Sequence, residues 1–246
     1  MTCRVIVFAK APVPGFAKTR LIPALGAEAA AALAERMLHH ALAEALAAGL
    51  GPVELCGTPT VRHAGFSRVA ADKLLPLTLP GPHSRGPAVL EFSDQGDGDL
   101  GERMLRALQR TLLESTPSCE PPAAGRDGAK AVAATTGVLL VGSDIPGLER
   151  QVLRAAAAAL GHSDAVFVPT HDGGYALIGL RPPAPVRLGE LFADMPWSGP
   201  QVMALTRARL ARLNLRHAEL PALHDIDGPA DLVHLPARWL PSGAGT

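Results

Sequence analysis

The sequence predicts an α/β protein built on a mostly parallel, mixed sheet with helices on both faces. Apolar runs of strand length alternate with alanine- and leucine-rich stretches of helical periodicity, the pattern of strand–helix–strand units. Hydrophobic residues make up 48% of the 246 residues, enough for a substantial core. Neither an internal repeat nor a clear linker divides the chain. We therefore expect one domain over residues 1–246.

Local patterns give the elements of the first part of the chain. Residues 3–9 are rich in Val, Ile and Phe and predict a buried strand. Residues 27–48 predict an alanine-rich helix that ends at Gly49, and residues 53–57 predict the second strand. Residues 58–93 contain scattered prolines, and we expect only a helical turn and a short strand there.

A second long helix and an insertion follow. Residues 98–115 place leucines and a methionine on one face and predict a helix. Asp99, followed three residues later by Glu102, is typical of a capping box at the helix start. Residues 116–136 combine Pro, Gly, Ala and charged residues, a composition that predicts a flexible surface insertion.

The second half of the chain contains the strand with the strongest apolar pattern. Residues 137–144, GVLLVGSD, predict a buried strand, followed by a helix from Pro146 to about Leu160. Residues 164–180 predict two strands joined by a turn too short for a parallel crossover, so one should run antiparallel. The remaining predicted elements are a helix over 199–212, a strand in 215–221 and a short helix in 225–235.

Composition and charge argue against some classes of function. The 23 basic and 23 acidic residues cancel, which argues against a nucleic-acid-binding surface. No apolar stretch reaches membrane-spanning length, and residues 1–15 lack the pattern of a signal peptide. The three cysteines are far apart, without metal-site spacing, which is typical of reduced thiols. We expect a cytoplasmic protein.

Polar residues follow four of the predicted strands. In open α/β sheets, ligands bind beyond the carboxyl ends of the strands. We therefore expect these groups to share one rim of the sheet: Lys10, Lys18 and Arg20; Ser143 and Asp144; His171, Asp172, Gly173 and Gly174; Asp225 and Asp227.

The loop after the first strand, KAPVPGFAKTR, concentrates cations in a neutral protein. Lys10, Lys18 and Arg20 suit a polyphosphate, and Gly15 would let backbone N–H groups approach it closely. A solvated loop with ordinary surface lysines agrees equally well with these residues alone. The spacing matches neither the Walker A motif nor the dinucleotide-binding G-x-G-x-x-G.

Carboxylates at two separate strand ends indicate a divalent metal. Asp144 directly follows a fully apolar strand, where an unbound charge is costly, and Asp225 and Asp227 follow the last strand. Such oxygen ligands suit Mg²⁺ or Mn²⁺ shared with a diphosphate. The alternative is that Ser143 or Asp144 caps the helix predicted from Pro146, and that Asp227 caps the terminal helix.

The sequence DGGY, residues 172–175, combines a carboxylate with two glycines. The glycines would let a ligand approach the chain, and Asp172 can accept hydrogen bonds from hydroxyl groups. D-G sequences also form tight hairpin turns. Both roles stay open, because a turn can itself line a site.

Six motifs in order, FAKAPVPGFAKTRL, QGDGDLGERM, GSDIPGL, DGGYALIGL, LFADMPW and DIDGPADL, resemble those of a transferase family. The members of this family are small GT-A-like transferases, named arsenosugar-biosynthesis glycosyltransferases or radical-SAM/selenodomain-associated transferases. The resemblance extends over nearly the whole chain. The broader relatives of that family are nucleotide-diphospho-sugar transferases and the molybdenum-cofactor and phospholactate guanylyltransferases.

The resemblance implies a single-domain GT-A fold with a nucleotide at the first-strand loop and a divalent metal, Mg²⁺ or Mn²⁺. The implied phosphate-binding residues are Lys10, Gly15, Lys18 and Arg20. The implied metal ligands are Asp144, with Asp227 or Asp225 as its distal partner. The implied sugar or acceptor wall is Asp172, Gly173, Gly174 and Tyr175. Asp144 stands in GSD rather than in a full D-x-D, which implies a single acid at that metal position.

Residues and resemblance together predict a metal-dependent glycosyltransferase that uses a nucleotide-diphosphate sugar and a small-molecule acceptor. Asp144 and Asp172 are its expected catalytic residues. A nucleotidyltransferase of the guanylyltransferase type, which releases pyrophosphate, would need the same phosphate contacts and metal. A nucleotide-binding module with weak catalysis is a third interpretation.

Overall fold

The computed structural model describes residues 2–67, 90–114, 137–182 and 187–239. The predicted insertion at about 116–136 lies outside the described residues, as does most of 58–93. The strands of the described part are β1 Cys3–Lys10, β2 Val53–Thr58, β3 Leu90–Asp94, β4 Gly137–Gly142, β5 Ala165–Pro169, β6 Tyr175–Leu180 and β7 His217–Glu219.

These strands form one sheet with the order β3-β2-β1-β4-β6-β5-β7. β1 lies between β2 and β4 and is parallel to both, with Val5 opposite Val53 and Leu139. β6 runs antiparallel to both of its neighbours, whereas β3 and β7 are parallel to theirs. The predicted fold class, a mostly parallel mixed sheet with helices, is confirmed. So is the prediction that one strand in 164–180 runs antiparallel.

Five α-helices and several 3₁₀ turns connect the strands in the described part of the chain. The α-helices are α1 Ile22–Leu25, α2 Ala27–Ala48, α3 Leu100–Glu114, α4 Arg150–Ala159 and α5 Val202–Arg212. The 3₁₀ turns are Thr19–Leu21, Ala64–Phe66, Leu188–Leu191, Pro229–His234 and Ala237–Trp239. None of the described helices is both long enough and apolar enough to cross a membrane.

Local signals gave the bounds of α2 and the start of α3 correctly. α2 ends before Gly49, which adopts the left-handed conformation with φ 64° that a glycine tolerates best. At the start of α3, the Glu102 N–H donates to Asp99 Oδ1 and the Asp99 N–H donates to Glu102 Oε2, each at 2.9 Å. The predicted capping box is therefore present.

The helix predicted from Pro146 begins later, at Arg150. Residues 145–148 close a turn instead, in which the Leu148 N–H donates to Ile145 O at 3.0 Å. A distant side chain satisfies the start of α4: Glu44 of α2 accepts from the Arg150 backbone N–H at 2.7 Å and from Arg150 Nε at 2.9 Å. The alternative role of Ser143 or Asp144, as the cap of this helix, is therefore not observed.

The alternative role of Asp227, as the cap of the terminal helix, is not observed either. The residue before the Pro229–His234 turn is Gly228, and the Asp231 carboxylate accepts from the N–H groups of Asp227 at 3.0 Å and Gly228 at 2.6 Å. A side chain of the turn itself, Asp231, therefore accepts the hydrogen bonds of the first N–H groups. The Asp227 side chain is free to contact other residues.

Helices cover both faces of the sheet. α2 and α4 pack on the face that carries Val7, and α3 and α5 pack on the face that carries Ile6. Cys3 and Cys56 are buried and unpaired, as expected of reduced thiols, and Cys119 lies outside the described residues.

A third apolar cluster joins the loop after β1 to the C-terminal segment. Leu21 and Ile226 are each 0% exposed and belong to this cluster together with Met37 of α2. Leu21 follows Arg20 in sequence, and Ile226 lies between Asp225 and Asp227. Packing of two apolar side chains therefore brings the cations of the first loop to the acids at the other end of the chain.

Candidate functional site

A cavity of about 570 Å³ lies at the carboxyl ends of β1, β4 and β5. Of the predicted site residues, those that line it are Lys10, Lys18, Arg20, Ser143, Asp144, Asp172, Gly174, Tyr175, Asp225 and Asp227. Gly15, His171 and Gly173 are not among its lining residues. Groups that follow separate strands thus share one cavity, as the strand-end rule predicts.

One part of this cavity contains a group of charged side chains that we call the acidic cluster. Its members are Lys18, Arg20, Asp144, Asp172, Asp225 and Asp227. Lys18 lies at its centre: its Nζ is 2.7 Å from Asp144 Oδ2 and 3.6 Å from Asp227 Oδ1. The Lys18 backbone has φ 50°, an uncommon left-handed conformation for a lysine, and the next residue begins the Thr19–Leu21 turn.

The Lys18 ammonium is held as a cation although its side chain is only 10% exposed. Burial alone would lower its pKa, but the carboxylates of Asp144, Asp227 and Asp225 outweigh that effect and raise the pKa above its usual value. Arg20, which is 65% exposed, pairs with the other oxygen of Asp227. The Asp227 carboxylate thus interacts with both cations of the first loop and not with the terminal helix.

The acidic cluster has more carboxylates than cations. Burial, followed by the charges of Asp172 and Asp144, raises the pKa of Asp225 to about 6. Burial is the main cause of this shift, and the neighbouring carboxylates add to it. Among the described residues, however, no three His, Cys, Asp or Glu side chains stand close enough together to hold a metal ion by themselves.

The β5–β6 turn presents Asp172 to the cavity. Asp172 Oδ1 accepts from the Thr170 hydroxyl at 2.5 Å and from the Gly174 N–H at 3.0 Å, which fixes the carboxylate. Gly173 has φ 95°, and a Cβ there would lie 2.1 Å from Pro200 O, so this position needs glycine. Thr170 also lines the cavity, and sequence reasoning missed it.

Lys10 and Gly15 differ from the rest of the predicted phosphate loop. Lys10 is exposed at the end of β1 and lines the cavity, and it makes no ion pair with any described residue. Gly15 has φ 78° with open space around its Cα, so a turn uses its conformational freedom. Of the predicted loop residues, Lys18 and Arg20 are the two in contact with the strand-end acids.

Sequence reasoning also missed three lining residues next to α3: Gln95, Arg103 and Trp197. Gln95 is 4% exposed, and its Nε2 donates to Ala9 O and Cys56 O at 3.1 Å each. Its Oε1 accepts from Arg103 Nη1 at 3.0 Å. All three belong to motifs that resemble the transferase family, Gln95 and Arg103 to QGDGDLGERM and Trp197 to LFADMPW, and this was the available signal for them.

Solved structures that are similar to this chain include two transferase-fold proteins. The first is a provisionally named nucleotide-diphospho-sugar transferase from Desulfovibrio desulfuricans G20. It has a TM-score of 0.72 and 28% sequence identity, with 99% of this chain and 90% of that chain covered. The second is 4-diphosphocytidyl-2C-methyl-D-erythritol synthase from Anaerococcus prevotii DSM 20548. It has a TM-score of 0.52 and 10% identity, with 95% of each chain covered, and it shows the fold alone.

Sequence comparison gives a family without an assigned reaction. No curated protein matches this chain. The narrower resemblance to arsenosugar-biosynthesis glycosyltransferases stays a prediction. Residues 41–199, more than half of the chain, match the family of uncharacterized proteins conserved in bacteria, DUF2064. The chain belongs to the DUF2064 family.

Proposed function

We propose that the protein is a metal-dependent glycosyltransferase that transfers a sugar from a nucleotide-diphosphate donor to a small-molecule acceptor. The acidic cluster carries this proposal, because Lys18 contacts Asp144 and Asp227 at the strand ends. Cations that suit a diphosphate and carboxylates that suit a divalent cation stand side by side there. The 28% identity to the provisionally named nucleotide-diphospho-sugar transferase supports it.

The donor diphosphate would bind to Lys10, Lys18 and Arg20. Lys10 makes no ion pair with a described residue, whereas Lys18 and Arg20 are already paired with Asp144 and Asp227. A diphosphate must therefore compete with these carboxylates. Lys18 and Arg20 become available to phosphate when the same carboxylates have a divalent cation to bind. Nucleotide and metal should for this reason bind together.

Mg²⁺ or Mn²⁺ fits the residues that are present. Carboxylate oxygens are ligands that both ions prefer, and four carboxylates of the acidic cluster face its two cations. Since the described residues offer no group of three converging acids, Asp144 with Asp225 or Asp227 would hold the ion jointly with phosphate oxygens of the donor. When bound, the ion supplies positive charge to the departing diphosphate.

Transfer would exchange one bond at the anomeric carbon of the sugar. The bond to the β-phosphate oxygen breaks, the nucleoside diphosphate leaves with the electron pair, and the acceptor oxygen forms the new bond. Asp172 is the residue we assign to take the acceptor proton. Its Oδ1 is fixed by Thr170 and Gly174, and its Oδ2 accepts no hydrogen bond from a described residue. Gly174 and Tyr175, which line the cavity, would form the adjoining wall, and Gly173 would hold the turn behind them.

Thermal unfolding with a panel of nucleotide sugars and nucleoside triphosphates, each with and without Mn²⁺, tests this function. A ligand that binds only the native state raises the Tm according to its concentration and affinity. We expect stabilisation by nucleotide-diphosphate sugars that requires Mn²⁺. Stabilisation by triphosphates alone would favour nucleotidyl transfer with release of pyrophosphate. Binding without turnover of any acceptor mixture would favour a nucleotide-binding module, and no response to any nucleotide would contradict all three.

A further inference from the structure

Arg103 is a cation in the cavity whose charge no described carboxylate compensates. Its Nε donates to Asp99 O at 3.1 Å and its Nη1 donates to Gln95 Oε1 at 3.0 Å, both neutral oxygens. Its Nη2 makes no hydrogen bond to a described residue. Lys18 and Arg20, by contrast, both contact carboxylates. An anion from solution would therefore meet less competition at Arg103 than at the acidic cluster.

The Arg103 guanidinium is also held in place before any ligand binds. Gln95, which accepts from it, is 4% exposed and is anchored to backbone carbonyls of β1 and β2 at 3.1 Å. The planar guanidinium can donate to an oxyanion with geometry that a lysine cannot reproduce. A fixed donor loses less conformational entropy on binding than a mobile surface arginine does.

Trp197 provides an aromatic surface beside the same helix. Its ring lies against Gly101 of α3, where a Cβ would come within 2.5 Å of the ring atoms. The ring of Phe192 also stacks with that of Trp197, with centroids 6.2 Å apart and an interplanar angle of 27°. Trp197 is partly exposed and lines the cavity. It can therefore cover the body of a ligand whose charged group reaches Arg103.

We propose that Arg103 and Trp197 form the subsite for the second substrate, and that this acceptor carries an oxyanion, as a phosphate ester or a carboxylate. The inference rests on the proposed transfer, which places the donor diphosphate at Lys18 and Arg20. Those side chains are positioned by packing on the α2 face of the sheet, whereas Arg103 belongs to α3 on the opposite face. One cavity of about 570 Å³ connects the two, a volume typical of small-molecule sites.

Arg106 offers a matched control on the same helix. Its guanidinium also donates to backbone carbonyls of the same loop, to Gln95 O at 2.6 Å and Asp97 O at 2.8 Å, but it does not line the cavity. Arg103→Gln and Arg106→Gln therefore remove the same charge from the same helix and loosen the same loop. Only the first removes a cation from the proposed subsite.

Tryptophan fluorescence provides the readout. The chain has two tryptophans, so Trp239→Phe leaves Trp197 as the single emitter. We would titrate this variant, alone and combined with each arginine substitution, with glycerol 3-phosphate and with glycerate. If Trp239→Phe fails to fold, calorimetric titration of the unmodified chain and the two arginine variants gives the same comparison.

We expect a saturable response to at least one probe. The affinity for that probe should fall about tenfold or more in Arg103→Gln and less than about twofold in Arg106→Gln. The better probe identifies the oxyanion as phosphate or carboxylate. Equal weakening in both variants, no weakening in either, or no response of the parent to either probe would overturn the proposal. The Mn²⁺-dependent shift in Tm by nucleotide sugars should persist in Arg103→Gln. If the parent protein itself showed no Mn²⁺-dependent rise in Tm with nucleotide sugars, that result would instead contradict the proposed transfer.

Discussion

Two ionic networks of this protein differ in how completely their charges are balanced. Glu54 on β2, with 4% side-chain exposure, pairs with Arg4 and Arg110 and accepts from the Ser93 hydroxyl, while Arg4 also pairs with Glu91. Among the ion pairs of the described residues, two cations thus face two carboxylates between the sheet and α3. In the acidic cluster, Lys18 and Arg20 face Asp144, Asp172, Asp225 and Asp227, and the pKa of Asp225 is raised.

The difference separates a network that stabilises the fold from one that is suited to binding. A balanced network that lies under a helix has its hydrogen bonds satisfied and no need of a ligand. A network with surplus charge that lines an open cavity is stabilised when a ligand supplies the missing charge. We therefore expect substitutions in the Glu54 network to change stability and substitutions in the acidic cluster to change ligand binding.

Glu54→Ala should produce the largest effect, a loss of roughly 3 kcal/mol in the free energy of unfolding, because it removes the buried carboxylate that pairs with Arg110 and with the 14% exposed Arg4. Urea unfolding of parent and variant measures this loss. Glu91→Ala serves as the control, because that side chain is 43% exposed and should contribute about 1 kcal/mol or less. Equal losses in the two variants would show that burial does not distinguish these acids.

Asp144→Ala should abolish metal-dependent nucleotide binding while the protein stays folded. The Lys18 ammonium keeps Asp227 Oδ1 at 3.6 Å after this change, so the fold should persist. Calorimetric titration with a nucleoside diphosphate and Mn²⁺ would detect the change, and circular dichroism would check the fold. If the variant binds nucleotide and metal as the parent does, Asp144 serves only to neutralise Lys18.

Lys18→Ala and Arg20→Ala should weaken binding of a nucleoside diphosphate by roughly tenfold to a hundredfold, and binding of the nucleoside much less. Lys18 should have the larger effect, because its side chain is 10% exposed whereas that of Arg20 is 65% exposed. Calorimetric titrations of both variants with a nucleoside and with its diphosphate, at fixed Mg²⁺ and two salt concentrations, measure the two affinities. A parallel loss of both affinities would mean that the loop shapes the base pocket or the fold.

Asp225→Asn should have the smallest effect, a gain in stability that depends on pH. The folded-state pKa, about 6, lies above the usual 3.8, so the ionised carboxylate costs stability at pH values above 6. Asparagine removes that cost, and its advantage should disappear as the pH falls through 6 towards 4, where Asp225 is protonated. Tm measurements in EDTA from pH 4 to 8 test this, with exposed Asp97→Asn as the control. An advantage independent of pH would contradict the assignment.

Local patterns in the sequence were enough to predict the sheet and most helices. The bounds of α2 follow from composition and Gly49, and the start of α3 follows from the pair Asp99 and Glu102. The start of α4 could not be predicted this way, because Glu44, from another helix, satisfies its first N–H groups. Tertiary contacts decide where a helix starts when its own residues offer weak caps.

The sequence predicts which residues follow the strand ends and so line the candidate site. It does not predict which of these residues contact one another. The strand-end rule selected Lys18, Asp144 and Asp227, yet the pair of Lys18 with Asp144 joins positions 126 residues apart. No pattern in the sequence specifies such a pairing. Arg103 was missed for a different reason: an arginine early in an amphipathic helix is usually solvated, and only the buried Gln95 turns it to the cavity.

Gly101 and Gly173 both give room to the segment that carries Trp197. They differ in whether a second substitution can compensate for the loss of the glycine. A Cβ at Gly101 would meet the Trp197 side chain at 2.5 Å, and a substitution at position 197 can shorten that side chain. A Cβ at Gly173 would meet Pro200 O at 2.1 Å, a backbone atom that every amino acid possesses. A shorter side chain at position 197 should therefore restore the thermal stability that Gly101→Ala removes, whereas only the return of glycine should restore it at position 173.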